Sequence, residues 1–123
     1  MEQVKTCQLA TPLFEVVNLL QESSIGSVVV VDEKHKVIGI FTERDFITKL
    51  GGKEAVLLNE TVEKFLTPDP VCLKNTDSLA LAMLKMRMGS FRHIVIVDKN
   101  ETLENVISQQ DILNYLIDMT GRG

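Results

Sequence analysis

Apolar residues recur along the chain at two alternating periods. Residues 4–9 read as a short strand. Thr11-Pro12 then opens a helix, with Thr as cap and Pro at the first helical position, and Leu13, Val16, Val17 and Leu20 form one apolar face. Ser23, Ser24 and Gly26 end that helix. Ser27–Asp32 holds four consecutive valines, apolar on both faces, and predicts a buried strand. Glu33-Lys34-His35-Lys36 is a polar turn, Val37–Phe41 a return strand, and Thr42 starts a second helix that runs to about Leu50. Gly51-Gly52-Lys53-Glu54 breaks it, and residues 51–60 read as a linker. Thr61–Leu66 fits one helical turn before Thr67-Pro68-Asp69-Pro70, where two prolines forbid helix. Val71–Leu73 is a short strand. Asp77 caps a helix with Leu79, Ala82, Met83 and Met86 on one face. Phe91–Asp98 is a strand, Lys99-Asn100-Glu101 a turn, Leu103–Ile107 a strand, and Ser108 to about Met119 a helix.

The second half repeats the first at a fixed offset. Thr42 to Ser108 is 66 positions (108 − 42), and so is Asp45 to Asp111 (111 − 45). The register holds without a gap: Leu13 matches Leu79, Val29 matches Val95, Asp32 matches Asp98, Ile40 matches Val106 and Leu50 matches Leu116. The division is 1–58 and 59–123. Neither half buries enough apolar surface alone. The expected fold is α+β: two strand-helix-strand-strand-helix repeats related by a pseudo-twofold, their small mixed sheets packed together with helices outside.

Composition narrows the function. Hydrophobic residues make up 45% and aromatics only 5%, so the core is aliphatic. The net charge of −4 is spread evenly, 6 basic and 8 acidic groups in residues 1–58 against 7 and 9 in 59–123. That balance argues against a nucleic-acid partner, which needs clustered cations. No apolar run approaches the ~20 residues of a membrane span, and no secretory signal is present. Cys7 and Cys72 read as two thiols in corresponding strands, not a disulfide or metal site. A cytoplasmic setting follows. Two histidines and two cysteines, widely spread, offer no zinc set. No Ser/His/Asp or Cys/His arrangement and no phosphate-cradling glycine loop appears, so the chain is not read as an enzyme.

The chemistry sits at two helix starts. In Gly39-Ile40-Phe41-Thr42-Glu43-Arg44-Asp45 a strand runs into a helix with Thr42 as N-cap and Asp45 at the third helical position. That is the spacing of a capping box. Asn105-Val106-Ile107-Ser108-Gln109-Gln110-Asp111 repeats it. By spacing alone the pairs are caps, worth about 1 kcal/mol each. A cap oxygen can also turn to a ligand: a carboxylate accepts from two vicinal hydroxyls, and a helix N-terminus favours an anion.

A duplicated unit of this kind, with V-V-D or I-V-D closing the middle strand and G-h-h-T/S-x-x-D closing the last, resembles the CBS domain. A tandem pair is a Bateman module. Thr61-Val62-Glu63-Lys64-Phe65-Leu66-Thr67-Pro68-Asp69-Pro70 looks like the family's lead-in to a repeat. The resemblance covers nearly the whole chain. It implies a regulatory module, without a cofactor, that binds AMP, ADP, ATP or a related adenosyl ligand. Asp45 and Asp111 would take ribose; Thr42, Ser108, Arg44 and Arg92 would face phosphate. Ile25, Ser27, Val28, Phe91, His93, Ile94 and Cys72 would line the adenine pocket. It also implies a homodimer through the helices, where Phe14, Leu81, Leu84 and Tyr115 add apolar surface, and a regulated enzyme or transporter domain as partner. Departures are visible. Asn105 stands where the first copy has Gly39, Val29 and Val95 stand where the family often has proline, and no lead-in precedes the first copy. With Arg92 and His93, the second copy is the better candidate for a phosphate-bearing ligand.

Overall fold

The computed structural model describes residues 4–89 and 91–120. The chain forms two compact units, Met1–Pro70 and Val71–Gly123. The repeat boundary in the sequence and the boundary between units are different divisions: residues 59–70, which open the second repeat in sequence, pack with the first unit.

In the first unit β1 (Thr6–Cys7) pairs in parallel with β2 (Ser27–Val31), β2 pairs antiparallel with β3 (Val37–Thr42), and β3 pairs antiparallel with β4 (Thr67–Pro68). Helix α1 (Leu13–Glu22) connects β1 to β2. Helix α2 (Glu43–Asp45) continues as a π turn over Phe46–Leu50. A short α3 (Glu54–Leu57) follows, then a 3-10 turn at Val62–Lys64. In the second unit β5 (Cys72–Lys74), β6 (His93–Val97) and β7 (Leu103–Ser108) form the corresponding mixed sheet, with α4 (Leu79–Gly89) and α5 (Gln109–Met119). β7 is an edge, whereas β3 is covered by β4.

The 66-residue offset holds at the level of single pairings. Thr6 pairs with Val29 as Cys72 with Val95. Ser27 pairs with Thr42 as His93 with Ser108, and both hairpins bulge at one place, Val30/Val31 and Ile96/Val97. Cys7, Val28, Val30 and Phe41 face Leu13, Val16 and Leu20 in the first core. Leu73 and Ile94 face Ala82, Met86 and Ile112 in the second. The other face of the strands, Val29, Val31 and Ile40 or Val95, Val97 and Val106, is buried too. That is why the valine run has no polar alternation.

The tight turns share a device. Asp32 Oδ1 accepts from the Lys34 and Lys36 N–H groups at 2.8 and 2.9 Å, and Asp98 Oδ1 from Asn100 and Thr102 at 2.8 and 3.0 Å. These bonds hold His35 and Glu101 in the left-handed region, φ 64° and 68°, without glycine. Both carboxyls lie below their ordinary value of 3.8, chiefly through the N–H groups of Lys36 and Thr102. Because the folded value is the lower one, this support is full above the unfolded value and is lost as pH falls through the folded one. In acid titrations followed by circular dichroism, Asp32→Asn and Asp98→Asn are expected to flatten the decline below about pH 4.

The structure corrects several expectations. The 4–9 strand is only two residues long. Thr11 and Asp77 are not helix caps. Thr11 Oγ1 accepts from Gln8 N–H at 3.0 Å and Asp77 Oδ2 from Lys74 N–H at 2.8 Å, closing the turn before each helix. Pro12 takes the N-cap position of α1, and Ser78 Oγ accepts from Leu81 N–H at 3.1 Å at the start of α4. The 51–60 segment contains α3, and Leu57 and Leu58 pack on the first core. On α4 the expected face is only partly buried, since Met83 is exposed. Residue Phe91 precedes β6 and packs on the second core.

Candidate functional site

Each repeat delivers a strand end into a helix start with its polar pair locked. Thr42 is extended (φ −115°, ψ 169°); its Oγ1 accepts from Asp45 N–H at 3.2 Å, and its N–H donates to Asp45 Oδ2 at 2.9 Å. Ser108 is likewise extended (φ −106°, ψ 164°); its Oγ accepts from Asp111 N–H at 3.1 Å and its N–H donates to Asp111 Oδ2 at 2.8 Å. Both are reciprocal capping boxes. The next N–H, from Glu43 or Gln109, donates back to the carbonyl of Gly26 or Arg92 at 3.1 or 2.9 Å, which ties each helix start to the entrance of its middle strand.

The two carboxylates then differ. Asp45 is 7% exposed, and its second oxygen is already engaged. Oδ1 accepts from Thr67 Oγ1 at 2.9 Å and pairs with the Lys49 ammonium at 3.1 Å. Lys49 Nζ also donates to the carbonyls of Phe65 at 2.7 Å and Leu66 at 3.3 Å. In the second copy Tyr115 occupies the place of Lys49 (49 + 66 = 115). Asp111 is exposed, with its Oδ2 in the box and its other oxygen facing no partner among the described residues. Sequence reading missed Lys49 and Thr67. Lys49 was visible as an i,i+4 partner of Asp45; Thr67 lies 22 residues away (67 − 45) and carried no local signal.

The remaining candidates fall on two faces. Cross-strand partners point the same way, so Ser27 shares a sheet face with Thr42, and His93 shares one with Ser108. Cys72, level with Val95, is on that second face. Ser27 is 2% exposed and its Oγ has no hydrogen-bond partner among the described residues. A buried hydroxyl without a partner is uncommon and calls for an explanation. Val28 and Ile94 point the opposite way, into the helix-facing cores, so the structure does not bring them to the polar pairs. Phe91 also packs on a core. Ile25 is half-buried before β2, and Arg44 and Arg92 are exposed.

Burial pushes the Cys7 thiol up to about 12 and raises that of the half-buried Cys72 as well, with Glu101 adding to the latter. Neither is in a disulfide. At pH 8, Cys72 is expected to react with a thiol reagent well ahead of Cys7, which becomes reactive only on unfolding; equal rates would contradict the buried setting of Cys7.

A cavity of about 490 Å³ opens in the second unit between the start of α4 and the outer strands. It is lined by residues such as Leu73, Asn75, Ala82, Glu104 and Asn105, and not by Asp111. Among the described residues no group of three or more His, Cys, Asp or Glu side chains is placed to hold a metal ion. Among the described residues no helix is long and apolar enough to cross a membrane.

The comparisons with known proteins agree with the duplicated architecture. A CBS domain profile matches residues 1–52 and 62–118. An uncharacterised 17.7 kDa protein of Acidianus ambivalens is 30% identical over 105 residues, 85% of this chain, and the chain spans 62% of that protein's length. A CBS-domain protein of Agrobacterium tumefaciens has 31% identity and a TM-score of 0.82, over 94% of this chain and 90% of that one. A CBS domain protein of Pyrobaculum aerophilum, solved in complex with AMP, has 23% identity and a TM-score of 0.81, over 96% and 94%. The matched family is one of regulatory modules. The chain belongs to the CBS domain family, as a tandem pair.

Proposed function

We propose that this pair is a regulatory module that binds an adenosine nucleotide and transmits its occupancy through packing with a partner. The observation that carries the reading is the carboxylate oxygen of Asp111. The same capping box holds Asp111 and Asp45 at one register, but among the described residues only Asp45 finds a partner for its second oxygen. Asp111 thus offers an acceptor to the ribose hydroxyls, beside the start of an 11-residue helix whose dipole favours phosphate. Ser108 and Arg92 supply a hydroxyl and a cation. The AMP complex of the Pyrobaculum relative supports adenine as the base. The first copy is the weaker site, because Lys49 and Thr67 must move before Asp45 can accept. The unpartnered Ser27 hydroxyl on the Thr42 face supports a polar ligand there too. Arg44, Ile25, His93 and Cys72 belong to the same proposal as flanking residues.

Isothermal titration with AMP, ADP and ATP tests this. Saturable heat is expected with at least one, and Asp111→Asn is expected to weaken it more than Asp45→Asn. No heat with any of the three, together with an unchanged melting temperature, would end the nucleotide reading.

A second reading is a ligand-free dimerisation module. It is favoured by exposed apolar side chains on the helices, among them Phe14, Leu84 and Tyr115 at 45, 51 and 54% exposure. Leu81, expected in that set, instead packs on the second core. Light scattering is expected to give a dimer mass. If Asp45→Ala and Asp111→Ala leave that mass unchanged and nucleotides do nothing, this reading replaces the first. The regulated protein, an enzyme or transporter domain under either reading, would be sought in a reducing, cytoplasmic setting that suits two cysteines outside any disulfide.

A further inference from the structure

The two copies carry different charges beside the same polar pair. In the first, Glu43 opens α2, and its N–H donates to the Gly26 carbonyl at 3.1 Å. Its side chain lies back over that glycine: a Cβ on Gly26 would overlap the Glu43 carboxylate. Gly26 also stands at φ 71°, in the left-handed region that favours glycine. Glycine thus leaves room for an acid at the entrance of β2. In the second copy the corresponding bond runs from Gln109 N–H to the Arg92 carbonyl at 2.9 Å. A neutral amide stands in the place of Glu43 (43 + 66 = 109), and a guanidinium in the place of Gly26 (26 + 66 = 92).

The acid of the first copy keeps its charge to itself. Among the described residues Glu43 forms no ion pair, with Arg44 or with any other cation. The nearby Lys49 ammonium is held by Asp45 and by the carbonyls of Phe65 and Leu66. Next to this acid lies a group that calls for a ligand. Ser27 sits directly across the hairpin from Thr42, is 2% exposed, and its Oγ has no hydrogen-bond partner among the described residues. A hydroxyl both donates and accepts, so it serves a polar group without charge.

Resting on the nucleotide-module reading, we infer that the first copy selects a nucleoside, an adenosine-type ligand without phosphate, and that Glu43 sets this choice. Ser27, Thr42 and Asp45 offer hydrogen-bonding groups that match the hydroxyls of a nucleoside. A phosphate brought to the start of α2 meets the Glu43 carboxylate, a repulsion worth about tenfold in affinity at an exposed site. A phosphate brought to the start of α5 meets Arg92 and a neutral Gln109. The hold of Lys49 and Thr67 on Asp45 weakens nucleoside and nucleotide alike, so it does not decide between them. One chain then reports two species, the nucleoside at the first copy and the nucleotide at the second.

The test is a titration of the ¹⁵N-labelled chain with adenosine and with AMP. The amides of Ser27, Thr42 and Asp45 report the first copy, and those of His93, Ser108 and Asp111 the second. The first-copy amides are expected to saturate at about tenfold lower adenosine than AMP, and the second-copy amides in the reverse order. Glu43→Gln is expected to tighten AMP at the first copy about tenfold and to leave adenosine unchanged, a split that loss of a structural contact would not produce. The gain should shrink as salt is raised. Gln109→Glu is expected to weaken AMP at the second copy. Equal affinity of the first copy for both ligands, or no change in its AMP affinity in Glu43→Gln, overturns the inference. Shifts confined to the second copy overturn it as well, because the first is then no site. In each of these cases AMP binding at the second copy leaves the proposed function standing. No shift in either copy with either ligand ends both.

Discussion

Asp45→Ala is expected to destabilise the first unit by about 2–3 kcal/mol, against about 1 kcal/mol for Asp111→Ala in the second. Both changes remove one capping box. Only the first also removes the acceptor of the Thr67 hydroxyl and the counter-charge of Lys49. The ion pair is not worth its full Coulomb energy, since the Lys49 side chain is 35% exposed and water screens it. The larger part of the excess comes from charge-assisted hydrogen bonds to a carboxylate that is almost buried. Urea unfolding read from one amide reporter in each unit measures both. Lys49→Met separates the contributions and should lie between wild type and Asp45→Ala. Equal losses for the two aspartates would mean that Lys49 and Thr67 are bystanders at the Asp45 carboxylate.

What could be read in advance was local or periodic. The 66-residue offset found the duplication, because each copy solves one packing problem with apolar residues at matched positions. Thr42/Asp45 and Ser108/Asp111 were legible because a capping box is a four-residue device. The two misplaced helix caps have one cause: a polar group can serve a nearer rival. Thr11 and Asp77 have the chemistry of an N-cap, but the N–H three residues upstream takes their oxygen first. Helix α3 is four residues long, too short to show a period, so Leu57 and Leu58 passed for linker although they belong to the core. The inequality of the two candidate sites was also out of reach. It depends on Thr67 and on the carbonyls of Phe65 and Leu66 reaching α2 from a segment that sequence reading assigns to the other repeat.

Gly39→Asn, which installs the residue of the second copy in the first, is expected to cost about 2–4 kcal/mol and to release residues 58–68 from their groove. The clash is with backbone, the Thr67 carbonyl, as well as with Leu66, so a change of rotamer cannot relieve it. The new amide can also close the edge of β3 against itself, as Asn105 does for Val106. Once β4 leaves, Thr67 withdraws from Asp45, and Lys49 loses the Phe65 and Leu66 carbonyls that hold it in place. Hydrogen exchange reads the event directly: the Val62 and Leu66 amides, bonded to Thr11 and Val62 carbonyls at 2.9 Å, should lose protection while the β2–β3 ladder keeps it. Unchanged protection would show that glycine is not what admits the segment. The variant should also move ligand access against stability. With its second oxygen released, Asp45 comes to resemble Asp111, so under the proposed function nucleotide binding at the first copy should strengthen in the protein that unfolds more easily.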